Sequence, residues 1–496
     1  MSDYLHGAYG ESNVLESRAS DTGVGAIVYV GTAPVHNIEG GAKTLNKPIL
    51  VRNIAEARKY FGYSDDWASY TLCEAMHVHF EQKGVGPLIL INVLDPATNV
   101  SSTSGTASLT PSGGQLVIAS ASAIVLDSVV IKTQDSTPVT KVKGTDYTIS
   151  YDPKTQAITA QELTAGALGS AALTVTYDII DPSDVDSADV IGSTDGLGDN
   201  KGLYAIKSVY DLTGYVPSFL AAPGWSSVPA IHTKMIEVSQ DINGHWDAYV
   251  FADLPIANSG TPLTFDSVIT YKSTNHYNAE NETVYFPMVK GTDGKKYHIS
   301  VLAAANFQEL LLEDEGIPYK TASNTECAII ENLYLGEANV GKVYDAELIN
   351  EKLNKNGIAS AAFTGGRWAI WGSHSANYSA SVSNPVAVAE TARMMLYYIC
   401  NDFQTRRPLN VDKPLSMNDL QTIVSEEQGR LDALINIGAL SYGVVNLNAE
   451  RLTESDIING DFSFAFNVTT TPLVKSLTAI VNWTKEGFRT FYETVA

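Results

Sequence analysis

Cysteine is scarce in this 496-residue chain: Cys73, Cys327 and Cys400 are odd in number and far apart. They form neither a disulfide framework nor a CxxC zinc pair, and free thiols suit a chain that folds in a reducing compartment. Charge is scarce too, at 18% of residues, against roughly 25% in an average globular chain. Positive charge is scarcest, with 32 Lys and Arg against 55 Asp and Glu, a formal net charge of −23. A surface that binds phosphates or anionic lipid needs Lys and Arg in excess, so neither nucleic acid nor membrane is an expected partner. The longest apolar runs, such as Pro87–Leu94, are strand-sized and too short to span a bilayer. The opening Met1-Ser2-Asp3-Tyr4 has no basic stretch followed by an apolar one, so no secretory signal is expected at this end. Neither Gly-x-Ser-x-Gly nor Gly-Thr-Ser-x-Ala occurs. Gly23-Val24-Gly25 precedes a strand instead of following one, so it is no dinucleotide loop.

What is present is a folded, apolar-rich chain, 44% hydrophobic and too long for one ordinary core. Residues 1–20 are polar and read as an extended arm. Gly25-Ala26-Ile27-Val28-Tyr29-Val30-Gly31 is a buried-type strand, and Asn53 to Gly62 is a helix with an Asn cap and a Gly stop. Trp67–Gln82 reads as a further helix and Pro87–Val93 as a strand, so 21–95 opens an α/β domain. The composition then changes. Residues 96–199 hold no Arg, four Lys and twelve acidic residues, and short alternating stretches dominate. They are Gln115–Ile118, Asp127–Thr133, Asp146–Tyr151, Ala157–Ala160 and Ala172–Ile180, the pattern of an inserted β-sandwich. Ser218–Gly224, Val228–Ile242 and Trp246–Ala252 then form a strand, helix and strand, a parallel βαβ unit within an α/β region at 200–349. From 350 to 485 two helices are expected, one opened by Asn384-Pro385-Val386 and running through Cys400, the other over Met417–Ile437. The tail is β-like: Asp461–Val468 alternates, and Leu477–Trp483 and Phe488–Val495 read as strands, the last forming an arm at 486–496.

Several strings resemble chemical sites and are read as structure. His77 and His79 point about 200° apart on a helix and have no third ligand nearby. Asp181, Asp184, Asp186 and Asp189 lack the glycine and terminal glutamate of a calcium loop and read as a solvated linker. Gly372-Ser373-His374-Ser375-Ala376 places a histidine where a nucleophilic serine would stand. No catalytic residue, cofactor or metal is expected, and the chain is read as a structural protein, not an enzyme.

Taken in order, the landmarks resemble the tail sheath proteins of contractile phage tails and related phage-like injection particles. The resemblance rests on Leu5–Glu11, Thr22–Pro34, Phe61-Gly62, Tyr147–Tyr151 and Val175–Pro182. It continues through Tyr215–Gly224, Val250–Pro255, Trp368–Gly372, the helix carrying Arg393, and Phe488–Val495. Met288-Val289-Lys290-Gly291 departs from the tyrosine- and proline-rich stretch common there. The resemblance implies a subtilisin-like α/β middle domain, the inserted β-sandwich, an α+β C-terminal core domain and extended terminal arms. It further implies strand exchange between subunits of a helical homopolymer around an inner tail tube, contacts with baseplate and terminator proteins, and contraction that drives the tube through an envelope. Assembly in a bacterial cytoplasm into a virion or phage-tail-like particle follows.

On that reading Tyr4 and Tyr9 belong to one arm, and Phe488, Thr490, Phe491, Tyr492 and Val495 to the other. Phe488, Thr490 and Tyr492 would share one face of the last strand, with Phe491 and Val495 on the opposite face. Gly7, Gly10 and Gly487 would serve as hinges. Glu426, Glu427 and Arg430, expected exposed on the Met417–Ile437 helix, would face the tube. The alternative is a surface protein whose β-sandwich recognises a receptor or glycan.

Overall fold

The computed structural model describes residues 23–379 and 384–489. The chain divides into two compact units, 1–416 and 417–496. Tyr4, Gly7, Tyr9 and Gly10, and Thr490, Phe491, Tyr492 and Val495, lie outside the described residues.

The first unit begins with strands β1 (Gly23–Gly31), β2 (Ile49–Val51) and β3 (Leu88–Asn92) and helices α1 (Ile54–Phe61) and α2 (Leu72–Met76). Ile27, Val28, Tyr29 and Val30 are fully buried, as a strand covered on both faces requires. Asn53 caps α1 by accepting from the Glu56 amide at 2.9 Å. The expected Trp67–Gln82 helix is shorter at its start and changes character: α2 is followed by a π-helical turn, His77–Lys83. That turn seats His79 in the core, between the Tyr29 hydroxyl at 2.7 Å and Gln308 Oε1 at 2.6 Å.

The chain then enters β4 (Gly105–Leu109), β5 (Gln115–Ile118), β6 (Val130–Thr133), β7 (Tyr147–Asp152), β8 (Ala157–Glu162) and β9 (Leu173–Tyr177). They form two three-stranded antiparallel sheets, ordered β4-β9-β6 and β5-β8-β7. Leu116, Ile118, Tyr147 and Ile158 from one sheet and Ile131, Leu173 and Val175 from the other share a core distinct from the main one. The two connecting segments lie side by side, with the Ser101 amide donating to the Ile179 carbonyl at 2.8 Å. The chain returns through α3 (Ser187–Ile191), α4 (Val209–Thr213), β10 (Tyr215–Ala221), α5 (Pro229–Val238) and β11 (Tyr249–Asp253). β10 and β11 pair in parallel across α5, as the pattern predicts.

The stretch beyond β11 holds a short hairpin of β12 (Ala257–Asn258) and β13 (Thr261–Pro262), α6 (Ser267–Thr274), β14 (Glu282–Tyr285), β15 (Met288–Gly291), β16 (Lys296–Tyr297), α7 (Ile299–Glu313) and β17 (Ile330–Tyr334). α7 was not anticipated. It is apolar on nearly every side and buried from Ile299 to Gln308, so it shows no periodic pattern. Its first turn is fastened by the buried Asp253, which accepts from the Ser300 amide at 3.1 Å and from the Ser300 hydroxyl. After α8 (Ala346–Lys352) come β18 (Ile358–Thr364) and β19 (Arg367–Trp371), then α9 (Glu390–Arg406). The main sheet has the order β19-β18-β14-β11-β10-β1-β3-β2. It is parallel except at its two edge strands, β2 and β19. It therefore runs past residue 350, where a separate C-terminal region was expected to start. Pro385 opens a short 3₁₀ turn instead of α9, whose start is set five residues later by Glu390. Both Glu390 carboxylate oxygens are occupied, by Thr283 at 2.7 Å and Thr321 at 2.5 Å.

The second unit contains α10 (Met417–Asn436), the antiparallel pair β20 (Leu440–Leu447) and β21 (Phe464–Thr470), and between them α11 (Glu454–Asn459). Leu420, Ile423, Glu427, Leu431 and Leu434 form the buried stripe of α10. Gln428 fastens it to β20, donating to the Gly443 carbonyl at 3.0 Å and accepting from the Val445 amide at 3.1 Å.

Candidate assembly surface

Residues 471–484 follow β21 without regular structure. Leu477 (91% exposed), Val481 (90%) and Trp483 (80%) stand almost fully in solvent. With Ala479 they occupy alternate positions, so in an extended conformation they make one apolar face, opposed by Thr478, Ile480 and Asn482. The expected Leu477–Trp483 strand is therefore present as a pattern but unpaired. A strand exists only when a neighbour completes its hydrogen-bond ladder, and this segment has none within the described residues. The sheet beside it in sequence, β20–β21, is two strands wide among the described residues.

The expectation for the arm beyond it needs correction. Glu486–Arg489 form a helical turn, with the Phe488 amide donating to the Lys485 carbonyl at 3.0 Å. Phe488 is exposed and Gly487 lies inside that turn, so neither is part of a strand here. A second correction concerns α10. Glu426 and Arg430 are exposed as expected, but Glu427 is buried at 1% exposure, because it falls four residues from both Ile423 and Leu431 on the inward stripe.

The strings that resemble chemistry are absorbed by packing. His79 is held neutral by burial, its pKa lowered to about 3. His77 turns to Glu81 at 2.7 Å instead. Asp181 and Asp186 cap short helical turns, and Asp189 completes a capping box with Asp186. His374 stacks on Tyr378 with ring centres 3.7 Å apart, and the buried Ser375 hydroxyl donates to the Ala387 carbonyl at 2.9 Å. In the main core His232 pairs with Glu282 at 2.6 Å and stacks on Tyr277. Lys272 donates to the Ala376 carbonyl at 2.6 Å, and burial lowers its pKa to about 8. His298 sits against Glu74 at 2.7 Å, and that carboxylate raises its pKa to about 9. Among the described residues no three His, Cys, Asp or Glu come together as a metal-sized group, and no helix is long and apolar enough to cross a membrane.

No protein-family model matches the chain. The tail sheath protein of Burkholderia phage BcepMu is 23% identical over 503 residues, covering 98% of this chain and 98% of that protein. A chain of the contracted helical sheath of the anti-feeding prophage shares the fold with a TM-score of 0.54 at 13% identity, covering 98% of this chain and all (100%) of the other. The contracted sheath of PVC, an extracellular contractile injection system, matches with a TM-score of 0.54 at 12% identity, over 98% of this chain and 99% of that one. Along its whole length the chain is thus a relative of a phage tail sheath protein, and its fold is that of the sheath subunits of contractile injection systems.

Proposed function

We propose that this chain is a structural sheath subunit, not an enzyme. It polymerises into a helical tube around an inner tail tube, is nucleated at a baseplate, capped by a terminator, and contracts to drive the tube through a target envelope. The observation that carries this reading is the end-to-end similarity to a tail sheath protein, joined to an exposed, strand-like pattern at 477–483 that has no ladder partner among the described residues.

On this reading the middle of the chain is a subtilisin-like scaffold, residues 96–199 are a β-sandwich carried on it, and the C-terminal region is the core that meets the tube. Strand addition suits a contracting mesh, because a ladder of backbone hydrogen bonds holds neighbours together while their bodies reorient. The arms at both ends, with Gly7 and Gly10 as hinges, extend the same principle, and Glu426 and Arg430 are the tube-facing candidates on α10. Contraction then draws on a free-energy difference between two packings of the same subunits. Even a few kcal/mol per subunit, the scale of one domain's marginal stability, becomes large when many subunits switch together. The particle would be assembled in a bacterial cytoplasm, without nucleic-acid or membrane contacts by this chain.

The test is negative-stain microscopy and sedimentation of the purified chain. Hollow tubes as wide as a phage tail are expected; a uniform monomer under all conditions would overturn the proposal.

A further inference from the structure

Between the main body and the small β-unit runs a cleft of about 1050 Å³ that no part of the sheath reading uses. The small unit is seated on the body at one end of it by polar contacts: His36 and Asn37 both reach the Ser122 carbonyl, at 2.8 and 3.3 Å. The Gly40 amide donates to Asp127 at 2.7 Å, and Lys143 bridges Asp127 and Glu39 at 3.0 and 3.1 Å. Val125 adds an apolar contact, packing into the main core.

The lining of the cleft has a definite chemistry. Tyr63 and Tyr70 line it from the body and Tyr151 from the small unit. Tyr63 packs against the Arg58 guanidinium, 4.8 Å from its ring centre, while the buried Tyr70 stacks on His36. Tyr151 lies close enough to Tyr70 to add to the burial that pushes the Tyr70 hydroxyl up. Charge is balanced, with Glu39, Asp65 and Asp66 against Arg58, Lys59 and Lys154. Ser64, Ser69, Ser122 and Ser150 also stand in the wall, and the buried Asn37 Oδ1 has no partner among the described residues. The β7–β8 turn hangs over the cleft with Gln156 at φ 52°, a left-handed conformation that glycine would adopt at lower cost.

Nucleic acid would require excess positive charge, and a strongly charged peptide an excess of the opposite sign. The partly exposed Tyr63 and Tyr151 rings beside uncharged donors and acceptors suit a neutral, polyhydroxylated chain, whose C–H faces lie on tyrosine while its hydroxyls meet Asn, Gln and Ser. The volume stands at the top of the roughly 300–1,000 Å³ usual for small-ligand sites, which is room for several sugar units. We propose that this cleft binds a neutral oligosaccharide, so that the small β-unit serves as a carbohydrate-binding attachment on the structural body.

The purified full chain would be applied, in whatever state of assembly it adopts, to a printed array of bacterial surface polysaccharides, with calorimetry on the strongest neutral hit. Binding is expected. It should fall tenfold or more in Tyr151→Ala and severalfold in Gln156→Gly. The glycine variant relieves the backbone cost, so its unfolding midpoint should be unchanged or higher, which separates loss of binding from loss of folding. Failure of the intact chain to bind any neutral glycan would overturn the proposal, as would binding that survives both substitutions. Cross-linking that places a neighbouring polypeptide in the cleft would overturn it too. Tube formation is read separately, so failure here leaves the sheath reading untouched.

Discussion

Gly62 ends α1 at φ 73°, and a β-carbon there would lie 2.7 Å from the Pro34 carbonyl oxygen. Two costs therefore fall on any other residue, a left-handed backbone and a clash with main chain that cannot swing away. Gly62→Ala should lower the unfolding free energy by about 1–3 kcal/mol in urea titrations. The buried histidines set the pH response. Burial lowers the pKa of His36 to about 4 and of His79 to about 3, below the unfolded value near 6.5. Between those limits the unfolded chain binds more protons, so stability is lost as pH falls from about 6.5 towards 4. His298 works in the opposite direction. Glu74 raises its pKa to about 9, so its contribution is complete below 6.5 and fades as pH climbs through 9. His36→Gln should flatten the acid limb of a stability–pH profile; an unchanged slope would mean that His36 titrates as freely as in the unfolded chain.

Elements differ in how far they could be read from sequence. The βαβ unit of β10, α5 and β11 was legible because period and length agree, and α1 because both its caps are written in residues 53 and 62. α7 was not, since a helix buried on nearly all sides loses the polar stripe that marks it. The π turn at 77–83 was hidden because its cause, a hydrogen-bonding place for His79 beside Tyr29 and Gln308, exists only in the folded core. Glu427 was misassigned because a charged residue on a helix usually faces water, yet its spacing from Ile423 and Leu431 is that of the core stripe. The segment 477–483 carries the clearest prediction at this scale. Val481→Asp combined with Trp483→Asp should abolish tube assembly in sedimentation. Monomer stability should change by no more than about 0.5 kcal/mol, because both side chains are exposed in the lone chain. Deleting residues 488–496 should also abolish tubes while leaving folded subunits. If it does not, while the double variant still does, the exchanged strand is 477–483 alone.

At the scale of the molecule, two cores rather than one organise the first unit, and the connectors to the smaller core lie hydrogen-bonded side by side. Residues 101–180 produced alone should therefore unfold cooperatively in denaturant, with dispersed amide resonances. A non-cooperative transition would show that this core depends on its seat at His36 and Gly40. Composition and pattern by themselves pointed to an acidic, mixed α/β chain with a run of short strands between about 96 and 199 and a strand-like tail. Those features depend on local periodicity and on which residues tolerate turns. Only the tertiary structure decided that strands from 23–92, 215–285 and 358–371 build one sheet, that Glu427 is inside, and that Leu477–Trp483 has no ladder partner among the described residues. Each of those is a fact about neighbours distant in sequence. The tail's alternation states that a ladder is wanted, and among the described residues that ladder is unfilled.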